Sequence, residues 1–190
     1  MEEKLQTKVT LENQKDFYQS LYSTDRPLID LKEIVADQYL LVDCCGQQYC
    51  ENYPDLNIIT LETITTAKQF NFTKDQFDYL IDNQVFNKLS WPKISTKNCV
   101  VIFDHSPLFK YLTVAEIINE LDVVSTRYNP NTILLQSSLF FIDDRRLSDR
   151  FYNLVNIKIK NYVVEKFYYD TLTTELMIQF KIKNFNADTN

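Results

Sequence analysis

Three residues in the first third of the chain have the types and spacing of a site for a nucleotide-type cofactor. Asp43 ends the aliphatic stretch YLLVD, Gly46 is the only glycine in the chain, and Glu62 ends a second aliphatic stretch, LNIITLE. We interpret these stretches as two buried strands joined by a turn at Gly46 and a polar loop, QQYCENYPD. An acid at a strand end, a glycine turn and a second acid about 20 residues later hold such cofactors in open α/β sheets. The sequence therefore predicts that Asp43, Gly46 and Glu62 bind a cofactor of this kind.

A second pair of reactive side chains follows another aliphatic stretch, NCVVIFD. Asp104 ends this stretch and His105 comes next, within the sequence DHSP. Ligands of open α/β sheets bind at the carboxyl ends of the strands, and a histidine there can act as a general base near neutral pH. We predict Asp104 and His105 as catalytic residues. The alternative is a histidine that only forms a structural hydrogen bond in a loop.

The four cysteines could form a metal site only if the strands that carry them are neighbours. They are Cys44, Cys45, Cys50 and Cys99, and His105 is the one histidine that could join them. Closed zinc sites usually contain paired C-x-x-C ligands, which this sequence lacks, and consecutive strand residues point to opposite faces. We therefore predict reduced thiols and no metal.

The aliphatic stretches that carry these residues do not alternate between apolar and polar positions, which is typical of parallel strands covered on both faces. A further stretch of this kind, TILLQSS, covers 132–138. Capping sequences and the helical spacing of apolar residues predict helices between the strands. The predicted helices cover residues 10–21, 25–37, 73–90, 113–121 and 143–154, whereas residues 63–70 are compatible with a helix or a strand.

The sequence YVVEKFYYDTLTTELMIQFKI, residues 162–182, contains two strand-like runs about a turn. This pattern predicts a hairpin that adds one antiparallel strand to the sheet. We therefore predict a single α/β domain over 1–190, with a Rossmann-like, mostly parallel sheet flanked by helices and an N-terminal helical segment over 1–36. Parallel strands joined by right-handed crossovers finish on the same side. Asp43, Glu62, Asp104 and 136–137 are therefore expected at one edge of one sheet.

Composition excludes several classes of function. The chain has 190 residues, is 45% hydrophobic and has a net charge of −6 with scattered basic residues, so it lacks a basic surface for nonspecific nucleic-acid binding. Its first residues, MEEKLQTKVT, lack the apolar core of a signal peptide, and no run approaches the roughly 18 apolar residues of a membrane span. We expect a soluble, cytoplasmic protein whose loops turn without glycine.

The order of strands and helices, with a closing antiparallel hairpin, resembles the class I S-adenosylmethionine-dependent methyltransferases from about residue 27 onward. In that family the first strand ends in a turn of the form hydrophobic-acid-x-glycine-x-glycine, which VDCCGQQY resembles at Asp43 and Gly46. The resemblance implies that S-adenosylmethionine is the cofactor and that Glu62 accepts hydrogen bonds from its ribose hydroxyls. It also implies that FDHSP, residues 103–107, is the fourth-strand motif beside the methyl acceptor.

Two functions are compatible with this resemblance. The first is methyl transfer from S-adenosylmethionine to an acceptor that the sequence does not identify. The family turn carries two or three glycines that let the backbone approach the cofactor, whereas Cys44, Cys45, Gln47 and Gln48 fill the other places here. The second function is therefore a non-catalytic structural or interaction protein on a degenerate methyltransferase scaffold, within a viral or multiprotein assembly. Side chains of Gln47, Gln48 or Tyr49 that fill the cleft would indicate the second function.

Overall fold

Strands and helices alternate along the part of the chain that the computed structural model describes, residues 28–44, 46–81, 92–94, 98–106, 114–138, 147–159, 161–170 and 175–183. The elements are a 3₁₀ turn at Leu31–Glu33, strand β1 at Gln38–Val42, helix α1 at Gly46–Asn52, β2 at Ile58–Thr63, α2 at Ile64–Gln69, β3 at Tyr79–Ile81, β4 at Cys99–Asp104, α3 at Val114–Tyr128, β5 at Thr132–Ser138, α4 at Leu147–Lys158, β6 at Tyr162–Asp170 and β7 at Glu175–Ile182. In these ranges no helix has the length and apolar character that crossing a membrane requires. The helix predicted over 10–21 lies outside the described residues.

The described strands form one seven-stranded sheet in the order β3-β2-β1-β4-β5-β7-β6. Neighbours from β3 to β5 are parallel, as the unbroken aliphatic stretches predicted for β1, β2, β4 and β5. β7 pairs antiparallel with β5 and with β6, so among the described strands it alone runs against the others. The predicted α/β fold and its hairpin are confirmed. β7 is the expected antiparallel strand, and β6 adds a further strand beyond it.

The two edges of the sheet differ in length and regularity. β3 contributes three residues at one edge, and β6 contributes nine at the other. β6 has a register shift between Val164 and Lys166, where the pairing with β7 is irregular. On the same strand Glu165 forms an ion pair with Lys181 of β7 at 2.7 Å.

One face of the sheet is covered by α3 and α4, and we call it the α3/α4 face. Leu40 and Val42 of β1 pack there with Ile117 and Leu121 of α3 and Val155 of α4. All five side chains are at most 1% exposed. Burying an aliphatic side chain of this size contributes about 1.5 to 3 kcal/mol, so this core is a main source of stability.

The opposite face is covered by α1 and the segment before β1, and we call it the α1 face. Tyr39 and Leu41 of β1 pack there with Leu31 of the 3₁₀ turn and Tyr49 of α1. The residues of β1 thus alternate between two buried faces. Burial on both sides explains why the sequence of this strand shows no polar alternation.

The helix predicted over 25–37 is wrong where the structure describes it. Only the 3₁₀ turn Leu31–Glu33 forms, and Ile34 is already extended with φ of −115°. The hydroxyl of Tyr39 donates to the carbonyl oxygen of Ile34 at 2.5 Å. A continued helix would need that carbonyl for its own backbone bonds, so the tertiary contact with β1 favours the extended path.

The polar loop predicted for QQYCENYPD is also wrong, because most of it is helix α1. Tyr49 and Tyr53 are four residues apart, and their stacked rings have centroids 6.3 Å apart. Gln47 and Glu51 have the same spacing, and Gln47 Nε2 donates to Glu51 Oε1 at 2.9 Å. Side chains at this spacing meet on a helix surface and stabilise it.

The helix predicted over 73–90 is wrong in its described part. Thr73 N donates to Gln76 Oε1 at 2.7 Å, which is one half of the expected capping contact. The chain then enters β3, where Tyr79 pairs with Leu61 of β2. Over so short an apolar run the sequence period does not separate helix from strand, and pairing with β2 decides the outcome.

Other predicted elements are confirmed. The sequence of residues 63–70 was compatible with a helix or a strand, and helix α2 forms there. Thr63 is its N-cap, and the Thr63 hydroxyl accepts a hydrogen bond from Thr66 N. α3 buries its predicted apolar stripe against the sheet. The described part of the helix predicted over 143–154 lies in α4, and TILLQSS forms β5.

Asparagine takes the place of glycine in several tight turns. Asn71, Asn98 and Asn129 have φ of 54°, 47° and 44°, in the left-handed region that asparagine tolerates better than most residues. The expectation that loops turn without glycine is confirmed at these positions. Asp43 and His105 also have positive φ, at 49° and 53°.

One carboxyl group in α3 is buried without a partner. Glu120 is 1% exposed, and neither carboxylate oxygen has a hydrogen-bond partner among the described residues. Burial, followed by the charge of Glu116, raises the pKa of Glu120 from 4.5 to about 7. Between these values the folded protein binds more protons at this site than the unfolded chain. The free energy of unfolding therefore falls as the pH rises through this window.

The Glu120→Gln substitution should remove this pH dependence, because it replaces the buried charge by a neutral side chain of the same shape. When the pH rises from 4.5 to about 7, the free energy of unfolding of the parent should fall relative to that of the variant. The fall should be at most roughly 3 kcal/mol. Urea unfolding across this range measures the difference. The Glu116→Gln variant should shift the window to lower pH. A constant separation between parent and Glu120→Gln at all pH values would contradict the prediction.

Candidate functional site at the carboxyl edge of the sheet

The predicted site residues meet where neighbouring parallel strands end. Asp43 follows β1, Glu62 lies near the end of β2, and Asp104 ends β4, where it pairs with Gln136 of β5. The prediction that these residues share one edge of a single sheet is confirmed. The strand order reverses between β1 and β4. Ligands of open α/β sheets bind at such a reversal, which lies between Asp43 and Asp104.

The Asp43 side chain is directed into the protein and is bonded to the junction of β2 and α2. Its Oδ1 accepts hydrogen bonds from Thr63 N at 3.1 Å and from Thr63 Oγ1 at 3.0 Å, and the residue is 1% exposed. Its positive φ costs a non-glycine residue on the order of 1 kcal/mol. The left-handed residue of the predicted turn is thus Asp43 and not Gly46, whose φ is not positive.

The Glu62 side chain caps helix α1. Its Oε1 accepts a hydrogen bond from Gly46 N, the first backbone amide of the helix, at 3.1 Å. A carboxylate at this end also interacts favourably with the helix dipole. Glu62 is 1% exposed. The carboxyl that was predicted to accept bonds from ribose hydroxyls is therefore enclosed and bonded to the chain's own backbone.

Asp43 and Glu62 form a buried pair of carboxyl groups. The Glu62 carboxyl lies within hydrogen-bonding reach of Asp43, and Asp43 Oδ2 is buried without a hydrogen-bond donor. Burial raises the pKa of Asp43, against the hydrogen bonds from Thr63 and Thr66 that lower it. Two neighbouring carboxyl groups cannot both be ionised without a large cost, so we expect the pair to hold one proton.

Gly46 is required by a close approach between α1 and β2. A Cβ atom at this position would lie 2.2 Å from Thr60 Cγ2 and 2.8 Å from Thr60 Cβ. Such distances are far shorter than van der Waals contact. The glycine therefore lets the start of α1 pack directly on β2.

Asp104 and His105 form a hydrogen-bonded pair at the end of β4. His105 Nδ1 donates to Asp104 Oδ1 at 2.7 Å, because a carboxylate oxygen can only accept. This bond leaves Nε2 of a neutral His105 ring with its lone pair, the arrangement of a general base oriented by an acid. His105 N donates to the carbonyl of Gln136 at 2.6 Å, and the ring is 11% exposed.

Tyr49 occupies the other oxygen of Asp104 and is the functional residue that the sequence analysis did not assign. Its hydroxyl donates to Asp104 Oδ2 at 2.6 Å and accepts from Ile29 N at 3.1 Å. The side chain is fully buried, and burial together with the charge of Asp104 raises its pKa, so it remains a protonated donor. The four-residue spacing of Tyr49 and Tyr53 within QQYCENYPD is the sequence signal that could have indicated a helix with Tyr49 on its buried face.

The segment before β1 packs over this contact. Tyr53 OH donates to the carbonyl of Ile29 at 3.3 Å, while Tyr49 accepts from the amide of the same residue. Two clefts in the described part of the structure lie away from this edge, one between α2 and β3 and the other among α3, α4 and β6. At the edge between Asp43 and Asp104, the Tyr49 side chain of α1 lies against the Asp104 carboxylate.

The cysteines do not converge. Cys44 packs on the α1 face and Cys99 on the α3/α4 face, so the sheet separates them. Neither they nor Cys50 form a disulfide, and Cys45 lies outside the described residues. Within the described ranges no three His, Cys, Asp or Glu side chains are placed to hold a metal ion.

Comparison with known proteins places the chain by its fold. No protein-family model matches the sequence, and no curated protein matches it. A TehB-like S-adenosylmethionine-dependent methyltransferase from Corynebacterium glutamicum has a TM-score of 0.55 at 12% identity, with 90% of this chain and 97% of that chain covered. CalS10 from Micromonospora echinaspora, an amino pentose methyltransferase solved with S-adenosylmethionine, has a TM-score of 0.50 at 11% identity, with 90% and 89% covered.

The chain has the fold of the class I S-adenosylmethionine-dependent methyltransferases. The methyltransferase fold does not by itself assign the chemistry. A Rhodobacter sphaeroides structure named for zinc-dependent alcohol dehydrogenases also has a TM-score of 0.55, at 10% identity, with 89% of this chain and 95% of that chain covered. The function must therefore be argued from the carboxyl edge of this chain.

The Gly46→Ala substitution should destabilise the protein by about 3 kcal/mol, the upper end of the cost of overpacking, because the new Cβ overlaps Thr60 Cγ2. Thr60→Ser removes Cγ2 and keeps the hydroxyl that bonds to Asp78. The double variant should therefore recover part of the loss. Urea unfolding of the parent, both single variants and the double variant measures this coupling. Strictly additive effects would show that the two residues are not in contact.

The Glu62→Gln substitution tests the shared proton. The glutamine can accept from Gly46 N and donate to Asp43 Oδ2, so it should favour ionised Asp43. In the parent, the raised pKa of Asp43 makes the free energy of unfolding fall as the pH rises above 3.8, the ordinary value. That slope should be smaller in the variant, measured by urea unfolding. The exposed Glu33→Gln is the control, and equal slopes in parent and Glu62→Gln would refute the sharing.

Proposed function

We propose that the protein uses the methyltransferase fold as a non-catalytic scaffold that binds a protein partner, and that it does not bind S-adenosylmethionine. The observation that carries this proposal is the position of Tyr49, which is buried at the strand-order reversal with its hydroxyl on Asp104. The sequence analysis named a Tyr49 side chain in this cleft as a sign of the non-catalytic function.

The described residues at the carboxyl edge do not fit the cofactor. Glu62 is the acid that the family resemblance assigns to the ribose, but it is enclosed and caps α1 through Gly46 N. Asp43 is bonded to Thr63 and interacts with the Glu62 carboxyl group. A ribose with two hydroxyl donors would have to displace these internal bonds.

The energy of opening the edge supports the same conclusion. A hydrogen bond to a charged group contributes about 1.5 to 3 kcal/mol. Releasing both Tyr49 from Asp104 and Gly46 N from Glu62 therefore costs on the order of 3 kcal/mol or more. If the open form is that rare, the apparent affinity for any ligand at this edge falls by about a hundredfold or more.

Methyl transfer is the second candidate, and the Asp104–His105 pair favours it. The pair lies at the strand-order reversal, and His105 has the positive φ typical of residues held under strain at functional sites. In this candidate His105 Nε2 would take a proton from the methyl acceptor. Asp43, Gly46 and Glu62 would hold the cofactor, as the resemblance implies.

Titration calorimetry with S-adenosylmethionine and S-adenosylhomocysteine separates the two candidates. If the chain is a scaffold, we expect no saturable heat and no thermal shift at ligand concentrations on the order of 1 mM. Any binding would then be weaker than a binding free energy of about 4 kcal/mol. CalS10, which was solved with S-adenosylmethionine, is the positive control.

Micromolar binding by this chain would overturn the scaffold proposal. In that case Glu62→Ala should weaken binding by about one to two powers of ten, because the ribose hydroxyls would lose charge-assisted bonds. Equal binding by the parent and Glu62→Ala would place the ligand away from Glu62 and would refute the role that the resemblance assigns to this residue.

A further inference from the structure

A cleft of about 670 Å³ opens between α2 and the edge strand β3, away from the carboxyl edge. Clefts that hold small molecules commonly measure about 300 to 1,000 Å³. The residues that form most of its apolar wall are Ala67, Phe72, Phe77 and Leu80. Leu80 is 46% exposed, so the wall presents apolar surface to solvent.

Hydrogen bonds within the chain hold this wall in place without a ligand. After α2 the backbone turns at Asn71, and Phe72 N donates to the carbonyl of Ala67 at 2.8 Å, which returns Phe72 towards the helix. Further along, Asp78 Oδ2 accepts from Thr60 N at 2.8 Å and joins the far side of the cleft to β2. The cleft is therefore preformed, which lowers the entropic cost of binding.

Two lysines line the same cleft. Lys68 and Lys74 are exposed, and neither forms an ion pair with a carboxylate within the described residues. The lining also contains the Asp78 carboxylate, which accepts two bonds from Thr60 through Oδ2, so the two lysines leave the lining with a net positive charge. In a chain of net charge −6, this combination of apolar wall and cationic rim selects for an anion with an apolar body.

We propose that the α2/β3 cleft binds a small amphipathic carboxylate, with an acyl chain or aryl group against Phe72, Phe77 and Leu80 and with the carboxylate near Lys68 and Lys74. The apolar wall supplies burial for the body of the ligand. The lysines supply attraction and orientation, as point charges on flexible stems. The site does not involve the carboxyl edge, so it is independent of whether the chain binds S-adenosylmethionine.

Fluorescence titration with 8-anilinonaphthalene-1-sulfonate, an aromatic anion, followed by competition, tests the site. We expect one saturable site from which decanoate displaces the dye. Decanol, which has the chain without the charge, and acetate, which has the charge without the chain, should compete at least about tenfold more weakly, since both halves of the ligand contribute. The affinity for decanoate should fall as salt screens the exposed lysines.

Variants locate the site on the structure. The double variant Lys68→Gln/Lys74→Gln should bind decanoate about three- to tenfold more weakly, as expected for two exposed charge contacts. The exposed Lys32→Gln, outside the cleft, is the matched control and should bind like the parent. Leu80→Glu should also weaken binding, because it places a negative charge in the exposed wall.

Each result decides the proposal. Equal competition by decanol and decanoate, or a double lysine variant that binds like Lys32→Gln, would overturn it. Circular dichroism of every variant should match the parent, because all four positions are exposed. If Leu80→Glu nevertheless unfolds, the lysine variants alone carry the test.

Discussion

The hydrogen bond from Tyr49 to Asp104 is the contact on which the arrangement of the carboxyl edge depends. It joins α1 to the end of β4 across the reversal of strand order, and it is fully enclosed. A charge-assisted bond in a low-dielectric interior is strong when its partners are satisfied and costly when one partner is removed. Here both oxygens of Asp104 are engaged, one by Tyr49 and the other by His105. The position of α1 and the orientation of His105 are therefore set by the same carboxylate.

This contact is possible only because α1 lies very close to the sheet. Gly46 removes the side chain that would otherwise collide with Thr60, and Glu62 caps the helix from the same strand. In a cofactor site the glycines of such a turn let the backbone approach a ligand. In this chain the glycine lets the backbone approach β2. The same residue type thus serves internal packing where the family resemblance suggested ligand binding.

The fold and the edge that carries the site residues were largely predictable from the sequence, whereas the side-chain contacts at that edge were not. Unbroken aliphatic runs such as 99–104 identified the parallel strands, and the acids at their ends fixed which edge would carry reactive groups. Segments whose structure depends on tertiary contacts were predicted wrongly: Tyr39 holds Ile34 extended where a helix was expected, and β3 forms by pairing with β2. The spacing of residues along the sequence does not determine the directions in which their side chains point. Nothing in the interval between Asp43 and Glu62 indicates that both carboxyls point inward.

The edges of the sheet limit how this protein can associate with another. An exposed strand edge is a template for strand addition, and proteins block such edges with short strands, bulges and charges. Within the described residues, β3 offers three residues, and β6 combines a bulge with the Glu165–Lys181 ion pair. Neither of these described edge strands therefore offers a long, regular backbone with which a second sheet could pair. Specific association by this fold should accordingly depend on side-chain surfaces, which can be changed one substitution at a time without altering the sheet.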